Sequence, residues 1–465
     1  MRTAEELLAE IAELRRHDLP VRGGQVTAYV YDTGRPEVHE AAARAYFEML
    51  EVNTLDPTAF PSVVEMEKQV VGEVAAVLGG GHGIFTSGGT ESIMLAVKAA
   101  RDAAGRARPN LVAPVTAHPA FHKAAHYLGL QVRAVPVDLE TFRVAAAAVQ
   151  AEIDEDTVLV VASAPSYPQG VVDPVAEVAA VAAAAGVPCH VDACVGGWLL
   201  PWLREAGAEV PPFDLSVPGV TSISCDLHKF GYAPKGASVV LFADPAMRRK
   251  AYFASAAWPG YTVINASVQS SKSAGPLGGA WATLRALGHE GYRELGRDTL
   301  EAARRLREGL AAIPGLRVLG DPAGSLIAFT SAEIDVFVLA DEARARGWFI
   351  QPQLSYAGIP ANLHITVTGA TLKGVDAMLQ VIAESAEAAR ERGPAQVPDG
   401  LVEMVAGLDL DALGDREFGE LAAAVGVDLG GAGQPGMAVV NSILDALPAA
   451  KREEILVRFL AVLYT

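Results

Sequence analysis

A chain of 465 residues is too long for one ordinary compact domain and suits a large domain, a smaller one and extensions. With 51% hydrophobic residues it has ample core, yet no window holds the ~20 uninterrupted apolar residues of a membrane span. A net charge of -18 argues against nucleic acid as a partner, since phosphate backbones select clustered Lys and Arg; solubility is its plainest meaning.

Residues 3–16 predict an amphipathic helix, with Thr3 as N-cap, Glu6 closing a capping box, and Leu7, Leu8, Ile11 and Leu14 as the apolar stripe. Glu5, Glu6 and Glu10 rule out reading this start as a signal peptide or anchor. A short extended segment at 23–31, a helix at 39–49 and a loop at 53–61 punctuated by Pro57 and Pro61 complete an N-terminal segment, 1–61. From 62 onward helical and strand patterns alternate: helices at 62–78, 90–104, 120–128, 142–153 and 173–185, and strands at 111–115, 131–137, 157–162, 187–191, 221–224 and 237–242. Continuous apolar strands between helices indicate an α/β domain, a sheet covered on both faces, assigned to 62–285. A Gly, Ser and Asn-rich stretch, 258–276, reads as a loop, followed by helices at 281–287 and 300–313. Strands at 316–319, 326–330, 348–351 and 362–367 with helices at 337–346 and 372–390 predict a small α+β domain, 286–392. A Pro and Gly-rich linker then opens a helical tail, 393–465, with helices at 439–447 and 454–463.

Four pieces of the large domain carry chemistry. Ser87, Gly88, Gly89 and Thr90 run into the helix at 90–104, which collects free N–H groups and a hydroxyl at a helix N-terminus, an anion site. His118 follows the strand at 111–115 and has the shape to lie flat on a ring. Asp192 ends the strand at 187–191, where a carboxylate can hold a pyridine nitrogen protonated. Lys229, next to His228, sits between two strand-like runs; a buried lysine of depressed pKa is the usual seat of a Schiff base. Each has a bland alternative: a glycine turn, a satisfied core histidine, a helix cap, a surface lysine. The order phosphate loop, histidine, aspartate, lysine is that of a pyridoxal-phosphate site, and ligands of such sheets sit at the carboxyl ends of the strands.

The motifs TSGGTESIMLAVKAARD, TAHPAFHKAAHYLG, HVDACVGGWL and SISCDLHKFGYAPKGASVVLF resemble those of sphingosine-1-phosphate lyases, within the group II pyridoxal-phosphate decarboxylases. Weaker similarity runs from about residue 24 to about 378, and Gly-Tyr-Ala-Pro-Lys-Gly after Lys229 is particular to the lyase branch. The resemblance implies the fold type I transferase architecture, a mainly parallel seven-stranded sheet plus a small C-terminal domain. It also implies retro-aldol cleavage of a β-hydroxy amine, with Tyr167 as first choice for the proton acceptor and an aromatic lid as its other reading. Tyr31 and Lys235 match positions that hold the substrate phosphate. Ser271 matches one that reaches the cofactor phosphate from a second subunit, which implies a homodimer. Eukaryotic members carry a membrane anchor, and this sequence has none.

Three positions depart from that pattern: Asp56 where the lyases have a phosphate-contacting histidine, Tyr29 where they have a small residue, and Lys272 where they have an arginine. A carboxylate beside a phosphate is repulsive, so Asp56 and Tyr29 lead to the expectation of an altered pocket and a substrate bearing an amine or hydroxyls in place of phosphate. The alternative is an amino-acid decarboxylase on the same cofactor site, with Tyr252 or Tyr261 as proton donor; a third reading is a cofactor-binding protein without catalysis. Cys189, Cys194 and Cys225 show no metal-ligand spacing, so no metal is expected, and they suit a reducing, cytoplasmic setting.

Overall fold

The computed structural model describes residues 2–410, 412–424 and 436–464. Its main sheet has seven strands: β1 (His82–Thr86), β2 (Asn110–Pro114), β3 (Gln131–Val135), β4 (Thr157–Ser163), β5 (Cys189–Asp192), β6 (Val220–Cys225) and β7 (Ser238–Phe242). They lie in the order β1-β7-β6-β5-β4-β2-β3, with β7 antiparallel to both its neighbours and every other pair parallel. Every residue of β2, β4, β5 and β7 is buried, as continuous Val, Leu and Ala runs require when helices cover both faces. Each buried Val or Leu there stabilises the fold by about 1.5–3 kcal/mol.

The strand β1 falls where the sequence reading assigned no element. Five residues behind three glycines give too short an apolar run to stand out, and pairing with β7 is what makes them a strand. The helix expected at 142–153 is shorter, Ala146–Glu152. The Asp138 carboxylate holds the Glu140 and Thr141 N–H groups in a turn, and Val137 pairs with Val144. Within the stretch read as a loop, β9 (Val263–Asn265) pairs with β8 (Phe253–Ser255), whose three residues lie just before it. The helical stretch beyond it, Gly275–Ala312, is two helices meeting at a kink at Gly288 (φ 55°), a backbone conformation that suits glycine, so the expected break after 287 is present and the second helix starts well before 300.

The second sheet is antiparallel, ordered β10-β11-β13-β12, from β10 (Leu316–Val318), β11 (Leu326–Ser331), β12 (Gln351–Gln353) and β13 (Asn362–Thr366). β12 lies further along than the expected 348–351. Residues 349 and 26 instead form a bridge that fastens the N-terminal segment to this sheet, with Thr27 N–H donating to Phe349 O at 3.0 Å. The tail has helices Leu401–Gly407, Asp415–Ala424, Ala438–Ala446 and Ala449–Leu463. It docks on the same domain: Asp341 caps Met437 and Ala438, Asp445 accepts from Ser355 N–H, and Arg452 donates to Ser355 O. At the other end, helix Ala4–Leu14 carries the expected Thr3 capping box, and none of its residues is buried.

Candidate active site

The carboxyl ends of the parallel strands place the chemistry. β5 ends in Asp192, β6 runs through Cys225 into Asp226 and Lys229, β2 leads to His118, β4 leads to Tyr167, and β1 delivers Ser87–Gly89 to the start of helix Gly89–Ala104. The helix start lies tight on this group. A Cβ on Gly89 would stand 2.6 Å from Cys194 Sγ and 2.9 Å from both Asp226 oxygens, and one on Gly88 would stand 3.4 Å from His228 Cε1. Glu91 fixes the loop by accepting from Ser87 N–H at 2.6 Å and from Val268 N–H at 2.7 Å.

Lys229 Nζ lies 2.9 Å from Asp226 Oδ2, and the Asp226 side chain is 2% exposed. Burial alone would lower the lysine pKa, but the Asp226 carboxylate, Tyr31, Cys194 and Asp192 overturn this and hold it above the ordinary value. The expected depressed pKa is therefore corrected: Lys229 is an ammonium in a buried ion pair. For Asp226 burial pushes upward, and Lys229 and His228 together bring its pKa below the usual carboxylate range. Asp226 Oδ1 is buried with no hydrogen-bond partner.

Asp192 is buried, and its Oδ1 accepts from Cys194 N–H at 3.1 Å and from Ser224 Oγ at 3.5 Å, which leaves Oδ2 for another donor. The His118 ring stays open to solvent on one side, while its Nδ1 accepts from Ala120 N–H at 3.1 Å. Burial lowers its pKa, so the ring is neutral with its proton on Nε2. Lys235 Nζ stands 4.8 Å over the Tyr31 ring. The surrounding protein and then Lys229 lower its pKa to about 8, so it is still a cation at neutral pH.

Tyr167 departs from its expected role. Its hydroxyl donates to Gln351 Oε1 at 2.7 Å, its ring stacks on buried His364 at 4.4 Å, and Gln351 Nε2 donates onward to the Tyr29 hydroxyl at 2.8 Å. Burial, followed by the Tyr31 and Tyr29 phenols, raises its pKa, and a neutral amide has no room for its proton. As placed, Tyr167 is a hydrogen-bond donor, not a base.

One expected residue lies elsewhere, and Ser271, expected to act on a second subunit, faces outward from this one. Asp56 is exposed in the loop before helix Pro61–Val77, where Oδ1 accepts from Thr58 N–H, Thr58 Oγ1 and Ala59 N–H. Those bonds lower its pKa, and among the described residues the hydrogen-bond partners of its side chain all lie in its own turn. Ser271 is exposed in the loop before helix Gly275–Ala312; Lys272, next to it, donates to Ser267 Oγ at 2.8 Å. A cavity of 690 Å³ lies beside this loop, lined by Glu67, Arg248 and Lys272 among others, and does not reach Lys229. The sequence reading missed Asp226, Glu91, Gln351 and His364. Asp226 had a local signal, an acid three residues before the lysine; Gln351 and His364 come from the second sheet and had none.

The family model described as "Pyridoxal-dependent decarboxylase conserved domain" matches residues 43–332, and a second, named for a C-terminal HTH domain of pyridoxal-dependent enzymes, matches 399–462. The sphingosine-1-phosphate lyase of Arabidopsis thaliana is 37% identical over 85% of this chain and 74% of its own length. A solved structure of the Burkholderia pseudomallei sphingosine-1-phosphate lyase superposes with a TM-score of 0.79 at 36% identity, covering 84% of this chain and 92% of that one. The chain belongs to the sphingosine-1-phosphate lyase family. A Methanothermobacter thermautotrophicus protein named as a probable L-tyrosine/L-aspartate decarboxylase is 35% identical, over 67% of this chain and 85% of its own.

As a member of that family the chain is a pyridoxal-phosphate-dependent lyase, and its residues fit the cofactor. The start of helix Gly89–Ala104 suits the phosphate, Asp192 Oδ2 the ring nitrogen and His118 the ring face. Lys229 would supply the amine, and the carboxylate paired with it, Asp226, has its Oδ1 unpartnered.

Proposed function

We propose that this lyase cleaves the bond between the amine-bearing and hydroxyl-bearing carbons of a phosphorylated long-chain β-hydroxy amine, releasing a long-chain aldehyde and phosphoethanolamine. The observation that carries the phosphate is Lys235. It is a cation at the mouth of the Lys229 group, above Tyr31, with no carboxylate paired to it among the described residues. Asp56, which suggested a head group without phosphate, spends its carboxylate on its own turn and offers Lys235 no competition.

Bound pyridoxal phosphate supplies the electron sink for the bond that breaks. The chain's residues handle the proton, which leaves the β-hydroxyl and ends on the α-carbon, so one group suffices. Lys229 Nζ suits both steps: displaced from the cofactor by the substrate amine it would be released as a neutral amine able to take the proton, and Asp226 then raises its proton affinity and holds the resulting ammonium in place for delivery. His118 Nδ1 is engaged by Ala120, and Tyr167 retains its own proton; Tyr167 Oη accepts a hydrogen bond from the β-hydroxyl and orients it.

The active protein on this reading is a cytoplasmic homodimer. Support for the dimer comes from apolar side chains exposed on and around β8 and β9, Phe253, Trp258, Tyr261, Ile264 and Val268, close to Ser271. Support for a reducing compartment comes from three buried cysteines, all unpaired. Among the described residues no helix is long and apolar enough to cross a membrane.

The test is incubation of cofactor-loaded protein with sphinganine 1-phosphate, followed by mass spectrometry. Aldehyde together with phosphoethanolamine is the expected result. Carbon dioxide from amino acids, with no aldehyde from any long-chain base, would assign the site to decarboxylation.

A further inference from the structure

Tyr29 holds a backbone conformation that bulky residues rarely adopt. The segment before it is zipped to the second sheet, with Thr27 N–H donating to Phe349 O and Thr366 N–H donating to Thr27 O. Val30 N–H then closes back on Ala28 O at 2.8 Å, a three-residue turn with Tyr29 at its apex and φ at 66°. A γ-turn with positive φ at its centre is rare and strained, and a bulky residue there persists only where its surroundings hold it. Here Phe349 and Gln351, two positions apart and so on one face of the same strand region, hold the ring and the hydroxyl.

The hydrogen bonds have a direction. Tyr167 donates to Gln351, and Gln351 donates to Tyr29, so Tyr29 Oη already accepts a hydrogen bond and keeps its own O–H to donate. No acceptor for that proton is found among the described residues, and the side chain is 61% exposed. The same groups converge electrostatically: Tyr29 and Tyr31 both act on the Tyr167 phenol, as does the charge of Lys229, while Lys235 lies over Tyr31. A donor fed by two others, two residues from the Tyr31 ring that carries a cation with no carboxylate paired to it among the described residues, suits an anion, and a bond donated along such a chain is strengthened.

We infer that Tyr29 is a specificity-determining residue, which donates its hydroxyl proton to a phosphate oxygen of the substrate head group while Lys235 supplies the charge, with Gln351 as the positioning residue that aims it. The inference rests on the proposed phosphorylated substrate. It adds a contact made by this chain's own N-terminal segment, strapped to the second sheet.

The test compares phosphoethanolamine with ethanolamine by calorimetry on the cofactor-loaded protein, its Tyr29→Phe and Gln351→Leu variants, and the wild type. Tyr29→Phe keeps the ring and removes only the donor. It should weaken phosphoethanolamine about tenfold, the worth of one hydrogen bond to a charged group, and leave ethanolamine unchanged. Gln351→Leu should weaken it in the same direction by a smaller factor, and in turnover of sphinganine 1-phosphate both variants should raise KM more than they lower kcat. Equal affinities in wild type and Tyr29→Phe, an equal loss for both ligands, or a wild type that does not prefer phosphoethanolamine would each overturn the inference. Aldehyde release from unphosphorylated sphinganine alone would overturn the phosphate reading while leaving the lyase chemistry standing, which separates the two failures.

Discussion

At the scale of single residues the Lys229–Asp226 pair decides most. A buried ion pair broken by removing one partner leaves an uncompensated charge, so Asp226→Asn converts Lys229 from a held ammonium into a desolvated amine whose pKa falls. The neutral amine attacks the cofactor aldehyde, so Asp226→Asn should load pyridoxal phosphate faster at pH 7, read from the growth of its visible absorbance. The same change removes the group that raises the proton affinity of Lys229, and turnover should fall about 100-fold, the scale of a general acid–base contribution. Slower loading together with unchanged turnover would contradict both roles. The pair also shows what a sequence conceals. Lys229 was legible from its neighbours His228 and Gly231–Gly236, but the sign of its pKa shift was not, because burial and a carboxylate push in opposite directions and only distance decides between them.

At the scale of elements, the start of helix Gly89–Ala104 is where geometry is least forgiving. Adding one methyl at Gly89 puts a carbon within 3 Å of Cys194 Sγ and of the Asp226 carboxylate, both buried, so the helix must move off the site. Gly89→Ala should cost about 1–3 kcal/mol of stability by overpacking and weaken pyridoxal phosphate at least tenfold, measured as a lower Tm and by titration of the cofactor absorbance. Elements whose order is local were readable: the buried strands β2, β4 and β7 as apolar runs, the first helix by its Thr3–Glu6 box. Those made by distant partners were not, since β1 needs β7 and the placement of Gln351 needs the pairing of β12 with β13. The tail was legible as helices, yet its partners were not. Between residues 399 and 462 lie eleven acidic and four basic residues. The four are committed: Arg416 to Glu420, Lys451 to Glu454 and Leu408 O, Arg452 to Ser355 O, Arg458 to Asp415. A region so charged does not suit nucleic acid, whatever its helical arrangement.

For the whole molecule, acid is the informative stress. Burial lowers the pKa of His190 and of His364 to about 4, against an ordinary value of 6.5, so each folded ring resists the proton that the unfolded chain takes. Their contribution is fully present above pH 6.5 and is lost as pH falls toward 4. Asp173 opposes them: burial raises its pKa to about 7, so its contribution is complete below about 3.8 and is lost as pH rises to 7. Two rings against one carboxyl leave a net fall of about 2 kcal/mol between pH 7 and pH 4.5. The urea midpoint should drop accordingly, and His190→Gln should flatten the profile; a midpoint that rises over this interval would refute the assignment. A different consequence follows from the way the tail grips Ser355. β12 is an edge strand, and beyond its far end Ser355 is clasped by Asp445 and Arg452, while Tyr29 hangs its hydroxyl on Gln351 at the strand's start. Segments near both ends of the chain thus bear on β12 and the turn after it, so on the role proposed for Tyr29 a change in the tail would reach head-group choice while every residue around Lys229 stays untouched.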